Sequence, residues 1–127
     1  MRDVRVRLVS ESGLAVAVET GPHLTRCDEP VEKGGTDTGP TPQETLLAAL
    51  GACEAVTLRM YASRKGWTLR DANVHLTASF VDGVYVIKRR LTFEGDLDDA
   101  QRARLHEIAN RCPVQRVLTG EVRIEDV

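Results

Sequence analysis

The fold of this chain is decided by residues 41–66, which read TPQETLLAALGACEAVTLRMYASRKG. Thr41 suits the N-cap of a helix, Pro42 suits the first helical position, and Glu44 stands three residues after the cap. Thr and Glu at this spacing form a capping box, in which each side chain accepts a hydrogen bond from the backbone of the other residue. The stretch therefore predicts one long helix that begins at Pro42 and stops at Gly66.

The predicted helix is apolar nearly all round up to Val56, with Glu54 as the one charge in its most apolar part. A helix without a polar face is buried on all sides, and few elements of a chain of 127 residues can surround it that completely. A homodimer that packs around the helix would solve this problem. The most apolar part, residues 45–57, is shorter than the about 20 residues that a membrane span needs, so we expect no membrane partner.

Composition narrows the class of protein further. The chain has 17 basic and 19 acidic residues and a net charge of −2, which argues against a nucleic-acid or anionic-membrane binder. Three cysteines cannot all pair within the chain, which argues against a disulfide-stapled secreted scaffold. The first residues alternate charged and apolar side chains instead of forming an apolar leader. We expect one domain over residues 1–127 in a reducing, cytoplasmic setting.

Alternating apolar residues predict three strands before the helix. Residues 4–8 indicate a half-buried strand, residues 14–18 indicate a second strand paired back to it as a hairpin, and residues 23–27 indicate a short third strand. Residues 28–42 are rich in glycine and proline and predict a long loop. Loops of this length are often functional.

A second hairpin is predicted after the helix. Apolar residues alternate over residues 74–80 and again over residues 85–93. The dipeptide Asp82-Gly83 between them is a strong signal for a two-residue turn of type I′. Gly95 is expected to end the return strand.

A second helix is predicted after this hairpin. Asp98 and Gln101 form another capping box, Pro113 indicates a further helical turn, and residues 120–126 indicate a last strand. One apolar stripe at helical spacing runs along the second helix and comprises Leu105, Ile108, Ala109 and Cys112. The order of strands, helix, strand pair, helix and strand favours the α+β class with a mostly antiparallel sheet.

Cys53 and Cys112 are the first candidates for chemistry, although a free cysteine is also a common core residue. Cys53 lies about three turns from the helix N-terminus, where the dipole has faded, so a reactive Cys53 would need a cation from elsewhere in the fold or from a partner chain. Two inward-facing cysteines on two helices could meet. If they do, a thiolate that attacks a peroxide becomes a sulfenic acid, and the second thiol condenses with it to a disulfide.

Arg89, Glu44 and Cys27 each allow a structural and a functional interpretation. Arg89 shares a predicted strand face with apolar residues, and a lone Arg there needs a partner. In the structural interpretation, a bulge shifts the strand register at Arg89 or the strand is no longer buried there. In the functional interpretation, Arg89 is the cation that a buried thiolate needs. Glu44 is explained by the capping box, and alternatively it orients an Arg or shares a proton near a thiol. Cys27, beside the long loop, is expected to be semi-exposed and without a role. No His or Cys spacing predicts a metal site.

Two segments taken together are specific: residues 28–53, DEPVEKGGTDTGPTPQETLLAALGAC, and residues 111–118, RCPVQRVL. The chain resembles the OsmC/Ohr family, named for osmotically inducible protein C and organic hydroperoxide resistance protein, over nearly its whole length. Gln43 directly follows the proline and Glu44 comes next, which fits the pattern of the shorter OsmC-like branch. The resemblance implies a tightly interwound α+β homodimer in which each central helix is buried between the two chains.

The resemblance also implies roles for individual residues. In the family the cysteine of the central helix is the peroxidatic thiol and the cysteine before Pro-Val is the resolving thiol, and these roles fall on Cys53 and Cys112. Such members reduce organic hydroperoxides in oxidative-stress defence without a cofactor, and a dithiol such as a lipoylated protein recycles their disulfide. A Glu near the start of the helix, here Glu44, and an Arg complete the family site. Because the N-terminal turn carries no Arg, Arg26 or Arg89 would have to substitute.

Two other functions stay open beside the thiol peroxidase that the resemblance favours. One is a non-catalytic dimer that holds a small apolar ligand in a cleft, with Cys53 and Cys112 as core thiols. The other is a Cys-dependent acyl-transfer enzyme, which needs a base near Cys53, and the sequence places no His there.

Overall fold

The computed structural model describes all 127 residues, Met1–Val127, and the chain divides into two compact units, Met1–Leu46 and Leu47–Val127. The elements in chain order are β1 Val4–Leu8, β2 Val16–Thr20, β3 His23–Cys27, a short 3-10 helix Val31–Lys33, α1 Pro42–Lys65, β4 Thr68–Val81, β5 Val84–Asp96, α2 Asp99–Ala109 and α3 Pro113–Thr119. Both sheets are antiparallel. The predicted α+β class is therefore confirmed, while a single domain over residues 1–127 stays a prediction.

The first unit contains a three-stranded antiparallel sheet in the order β1-β2-β3. Val6 pairs with Val18, and Val18 pairs with Thr25, so the predicted hairpin and third strand are confirmed. All five residues of β1 are exposed, and the predicted half-burial of this strand is wrong within the chain. The reason is that β1 is an edge strand whose apolar side chains, such as Leu8, no other part of its unit covers.

A buried carboxylate holds the long loop that follows β3. Asp28 accepts hydrogen bonds from the hydroxyl groups of Thr36 at 2.6 Å and Thr38 at 2.7 Å, and from the backbone N–H of Glu29 at 2.8 Å. These bonds, first those from Thr36 and then those from Thr38, hold the pKa of Asp28 well below its ordinary value. The loop is therefore an ordered element.

Cys27, at the end of β3, lies inside the first unit. Its side chain is buried, and its Sγ lies 3.3 Å from Oγ1 of Thr45, at hydrogen-bond distance for sulfur. The expectation of a semi-exposed Cys27 is therefore wrong. The strand pairs with β2 up to its last residue, which carries the cysteine inward instead of into the loop.

Helix α1 begins and ends where the sequence predicts. The backbone N–H of Thr41 donates to Glu44 Oε2 at 3.0 Å, and the N–H of Glu44 donates to Thr41 Oγ1 at 3.1 Å, which are the two bonds of a capping box. Gly66 follows the last helical residue with a φ of 70°, the left-handed conformation that glycine adopts without steric cost. Local signals therefore set both ends of this helix.

Within the chain, α1 is buried on one face only. The buried residues recur every fourth position and are Leu50, Glu54, Leu58 and Ala62. Val56 and Met60 on another face are 57% and 59% exposed. The all-round burial expected for this helix is not reached in one chain, because a single hairpin and two short helices cannot surround it. By length and composition alone α1 could cross a membrane, a test that core helices of globular proteins also pass.

The hairpin of β4 and β5 is confirmed and is longer than predicted. Asp82 and Gly83 have φ values of 51° and 79°, as a type I′ turn requires. β4 begins at Thr68, and β5 passes through Gly95, where the sequence suggested its end. A Cβ atom at Gly95 would lie 2.0 Å from the carbonyl oxygen of Thr68. Glycine is therefore needed here because the two backbones approach closely where the strand pairing is irregular, and it does not end the strand.

The core of the second unit lies between α1, the hairpin and α2. It is formed by Leu58, Ala62, Leu69, Leu91, Phe93, Leu105, Ile108 and Ala109. α2 begins with the predicted capping box, in which Asp98 Oδ1 accepts from the N–H of Gln101 at 2.7 Å and Gln101 Oε1 accepts from the N–H of Asp98 at 2.9 Å. The predicted apolar stripe of α2 is therefore confirmed as far as Ala109.

Two predictions at the C-terminal end are wrong. Cys112 does not lie on α2, which ends at Ala109, but is the N-cap of α3, with a ψ of 126° that lies outside the helical region. The cause is Pro113, since the residue before a proline is pushed out of the helical region. Residues 120–126 form no strand, and Ile124 is 93% exposed. Apolar alternation makes a strand only where a neighbouring strand offers hydrogen bonds, and the chain provides none there.

Candidate functional site

The structure brings Cys53 and Cys112 together. Cys53 lies half-buried in the middle of α1, and Cys112 is completely buried at the start of α3. The side chain of Cys53 lies close enough to that of Cys112 to shift the pKa of the Cys112 thiol, and both cysteines are free. The two cysteines, whose relative placement the sequence left open, are therefore neighbours in a single chain.

The environment of Cys112 favours its protonated form. Burial raises the pKa of this thiol, and the neighbouring side chain of Cys53 raises it further. The backbone N–H of Gln115, which donates to Cys112 Sγ at 3.5 Å, acts in the opposite direction without reversing the shift. Cys112 therefore stays a thiol near neutral pH and can donate a hydrogen bond to the sulfur of Cys53.

Arg89 finds its partner on α1. Its Nη1 lies 2.7 Å from Oε1 of Glu54, the residue that follows Cys53. The Glu54 side chain has no exposed surface, and that of Arg89 is 23% exposed. The partner required by an Arg on an apolar strand face is thus confirmed. The sequence does not identify this partner, although it shows one charge in an apolar helix and one charge on an apolar strand face.

Two amide side chains complete a network around the guanidinium. Arg89 donates from Nη1 to Gln115 Oε1 and from Nη2 to Asn110 Oδ1, both at 3.1 Å. Gln115 Nε2 also donates to Asn110 Oδ1 at 3.3 Å. Oε2 of Glu54 is buried and has no hydrogen-bond partner. All side-chain hydrogen bonds of Arg89 go to oxygen atoms, and they connect β5 to α1 through Glu54, to the segment between α2 and α3 through Asn110, and to α3 through Gln115.

An open pocket of about 400 Å³ adjoins this network. The polar residues around it are Arg89, Asn110, Gln115, Thr119 and the fully buried Glu54, and the apolar residues are Leu50, Tyr85, Ile87 and Leu118. A pocket of this volume with apolar walls and a few converging polar groups is typical of small-molecule sites. The pocket can therefore hold a small molecule whose alkyl group contacts the apolar residues and whose polar group binds to the polar residues.

Comparison with known proteins identifies the family. Residues 35–125 match the family model described as OsmC-like protein. The chain belongs to the OsmC family. The predicted resemblance is thereby confirmed. No curated protein matches the chain.

Solved structures share the fold of this OsmC-family chain. The OsmC like protein from Mycoplasma pneumoniae is 21% identical, with a TM-score of 0.77 over 94% of this chain and 88% of that chain. The organic hydroperoxide resistance protein OhrB of Bacillus subtilis is 21% identical, with a TM-score of 0.63 over 93% and 91%. The organic hydroperoxide resistance protein OsmC of Legionella pneumophila is 22% identical, with a TM-score of 0.59 over 93% and 90%. At these identities the likeness shows the fold.

The other candidate residues of the OsmC-family chain have separate surroundings. Glu44 is exposed, its carboxylate accepts the N–H of Thr41, and it forms no ion pair. Arg26 is exposed and forms no ion pair either. The carboxylate that binds Arg89 is Glu54. No group of three His, Cys, Asp or Glu side chains is arranged to hold a metal ion.

Proposed function

We propose that this OsmC-family protein is a thiol-dependent peroxidase that reduces organic hydroperoxides in oxidative-stress defence. The observation that carries the proposal is that the side chains of Cys53 and Cys112 are neighbours. Two neighbouring thiols can be converted to a disulfide, which is what a peroxidatic and a resolving cysteine require. Two structurally similar proteins, from Bacillus subtilis and Legionella pneumophila, are named organic hydroperoxide resistance proteins, which supports the same activity.

The reaction has two steps on the protein. The Cys53 thiolate attacks the terminal oxygen of the hydroperoxide, so that an S–O bond forms, the O–O bond breaks and the alkoxide leaves as an alcohol after it takes a proton. The sulfur of Cys112 then attacks the sulfur of the Cys53 sulfenic acid, an S–S bond forms, and the hydroxyl group leaves as water with the proton of Cys112. A dithiol reductant, such as a lipoylated protein, returns both cysteines to thiols by exchange.

Arg89 is the cation that we assign to the first step. Its guanidinium carries five N–H donors, is partly exposed at the pocket, and is held by three oxygen acceptors. The remaining donors can polarise the peroxide and hold the thiolate. For Glu44 we propose the orienting role that the family assigns to the Glu near the start of the central helix.

The apolar wall of the pocket supports a preference for organic hydroperoxides over hydrogen peroxide. Leu50, Ile87 and Leu118 line it. Burial of an alkyl chain contributes about 0.8 kcal/mol for each CH₂ group, and hydrogen peroxide has none. The expected substrate is therefore a hydroperoxide with an apolar substituent.

We further propose that the protein is a homodimer that works in the cytoplasm. Val56 and Met60 leave an apolar face of α1 uncovered in the single chain. Exposed apolar side chains on one face of a long helix are typical of a protein–protein interface. A second copy would bury this face, as the interwound dimer of the family requires, and a reducing compartment would keep the three cysteines as thiols.

Intact-mass measurement after addition of one equivalent of cumene hydroperoxide tests the activity. The wild-type protein should lose two hydrogen atoms, whereas Cys112→Ser should gain oxygen on Cys53 because no resolving thiol is present. Cys27→Ser serves as the matched control and should behave like the wild type, since Cys27 is buried in the first unit with Thr45. A Cys53→Ser variant that consumes hydroperoxide as fast as the wild type would contradict the proposal.

The pocket also supports the alternative of a non-catalytic dimer that binds a small apolar ligand. Its volume of about 400 Å³ suffices for such a ligand. This alternative predicts that the wild type leaves cumene hydroperoxide intact and enhances the fluorescence of an apolar dye. It also predicts that Leu118→Arg, at the pocket wall, abolishes the enhancement. Rapid hydroperoxide consumption that depends on Cys53 would rule this alternative out.

A further inference from the structure

Every hydrogen-bond acceptor of the Arg89 side chain stands within three residues of Cys53 or Cys112. The acceptors are Glu54, which follows Cys53, and Asn110 and Gln115, which stand before and after Cys112. Cys53 is carried by α1, and Cys112 is carried by the segment that joins α2 to α3. Arg89, on β5, binds to residues of both. One guanidinium therefore links the two segments that carry the sulfurs.

We propose that Glu54 and Arg89 form a clamp that positions the two sulfurs and so sets the rate at which Cys112 resolves the sulfenic acid of Cys53. Glu54 acts through Arg89 and touches no sulfur, so it is a positioning residue. The proposal rests on the proposed peroxidase function for its peroxide step, but the effect on the sulfur pair is testable without a peroxide.

On the Cys112 side, the clamp reaches the sulfur through Gln115. The side chain of Gln115 accepts a hydrogen bond from Arg89 at 3.1 Å, and its backbone N–H donates to Cys112 Sγ at 3.5 Å. A displaced guanidinium would therefore move the residue that orients the sulfur. Asn110 binds both Arg89 and Gln115 and restrains them together.

On the Cys53 side, the clamp is held by a carboxylate that serves no other partner. The only side-chain hydrogen bond of Glu54 goes to Arg89, and its Oε2 is buried without a partner. A buried oxygen without a hydrogen bond destabilises the fold, and a buried ion pair is on average no more stabilising than packed apolar residues. The stability of the fold therefore does not account for a buried carboxylate at position 54. A role in holding the guanidinium of Arg89 in place beside Cys53 does account for it.

The sulfenic acid of Cys53 has two competing fates, and only one of them requires Cys112. In resolution, Cys112 forms the S–S bond and water leaves. In overoxidation, a second hydroperoxide transfers an oxygen atom to the sulfenic sulfur, an alcohol leaves and a sulfinic acid forms. Only resolution needs Cys112 to be correctly placed. The ratio of sulfinic acid to disulfide thus reports positioning, and it does not depend on how fast the sulfenic acid forms.

The test treats wild type, Glu54→Gln and Glu54→Ala with increasing cumene hydroperoxide in the absence of reductant and measures intact masses. We expect the ratio of sulfinic acid to disulfide to rise about ten- to hundredfold in the Glu54 variants, since small misplacements of reacting atoms have effects of this size. Glu107→Gln is the matched control, because Glu107 forms an exposed ion pair with Arg104. It should keep the wild-type ratio. Unchanged ratios in both Glu54 variants would overturn the clamp.

Two additions keep the proposal testable when a variant fails to fold or when the peroxide chemistry is absent. Gln115→Ala removes the acceptor near Cys112 without burying a charge, and it should raise the ratio in the same direction. Diamide, which takes two hydrogens from a pair of thiols, forms the Cys53–Cys112 disulfide without a peroxide. A wild type that reacts with diamide but not with hydroperoxide contradicts the proposed function alone. Equal diamide rates in wild type, Glu54→Gln and Gln115→Ala contradict the clamp.

Discussion

Glu54 and Arg89 form an ion pair of 2.7 Å that joins the helix carrying Cys53 to the opposite strand. Both partners of every other ion pair in the chain are at least partly exposed to solvent. Here one partner has no exposed surface, so water cannot replace a lost contact. Removal of either charge of this ion pair is therefore expected to destabilise the interior of the second unit.

The ion pair predicts a strongly asymmetric response to mutation. Arg89→Met leaves the carboxylate of Glu54 buried without a counter-charge and should lower the free energy of unfolding by about 3–5 kcal/mol. The double variant Arg89→Met/Glu54→Leu should recover most of that loss, because two apolar side chains can pack where two charges lay. Urea denaturation followed by circular dichroism measures both. A double variant no more stable than Arg89→Met would contradict the burial argument.

The thiol of Cys112 should react with alkylating reagents only at high pH. Burial, and next the neighbouring side chain of Cys53, raise its pKa above the ordinary value of 9.0. Iodoacetamide should therefore modify Cys112 slowly at pH 7, with a rate that rises through and beyond pH 9. Cys53→Ala should lower the pKa of Cys112 without restoring its ordinary value, since burial remains. Peptide mapping of the alkylated site at each pH gives the rates, and rapid alkylation at pH 7 would contradict the prediction.

The same direction of shift has a consequence for stability. A group whose pKa is raised in the folded state favours folding while it is protonated, and that contribution is lost as the pH rises through the folded-state pKa. The wild type should thus lose stability above pH 9 more steeply than Cys112→Ala does. An identical slope in both proteins would speak against a buried thiol.

Asp28 should make the protein sensitive to acid. Hydrogen bonds from Thr36 and Thr38 hold its pKa below the ordinary 3.8, so the ionised form stabilises the fold in full above about pH 4 and this contribution is lost as the pH falls further. Asp28→Asn should be less stable than the wild type at pH 7 and should lose less stability between pH 4 and pH 2. Urea midpoints across this range test it, with the exposed Asp71→Asn as control. Parallel curves for wild type and Asp28→Asn would be inconsistent with the lowered pKa.

The uncovered face of α1 predicts the outcome of an assembly experiment. Val56→Glu/Met60→Glu should shift the protein from dimer to monomer, because each change puts a charge into an apolar interface. Ala103→Glu, at an exposed position of α2, should leave the dimer intact. Sedimentation equilibrium distinguishes the two states. A wild type that sediments as a monomer at micromolar concentration would remove the basis for the proposed dimer.

Glu44 allows its structural and catalytic roles to be separated. Glu44→Gln keeps an oxygen that can accept the N–H of Thr41, so the free energy of unfolding should change by no more than about 0.5 kcal/mol. If the carboxylate orients the cation of the site, kcat/KM for cumene hydroperoxide should fall at least about tenfold. Full activity in Glu44→Gln would leave this residue with its capping role alone.

Local chemistry made much of the fold predictable. The capping box at Thr41, the glycine at position 66 and the Asp82-Gly83 turn each act over a few neighbouring residues, and each is observed where predicted. The α+β class follows from the order of these elements. The site was less predictable: the sequence indicated that Arg89 needs a partner, but it could not name Glu54, because the two lie on different elements and meet only when the hairpin packs on α1.

What the sequence by itself determined is therefore most of the elements, both ends of α1, and the chemical character of the two cysteines as candidates. Only the tertiary structure decided that Cys53 and Cys112 are neighbours, that Cys112 caps α3 instead of lying on α2, and that residues 120–126 form no strand. The physical reason is that these interactions differ in how far apart along the chain their partners lie. Caps and turns are satisfied within one or two turns of chain, whereas burial, ion pairing and strand pairing depend on distant segments that packing brings together.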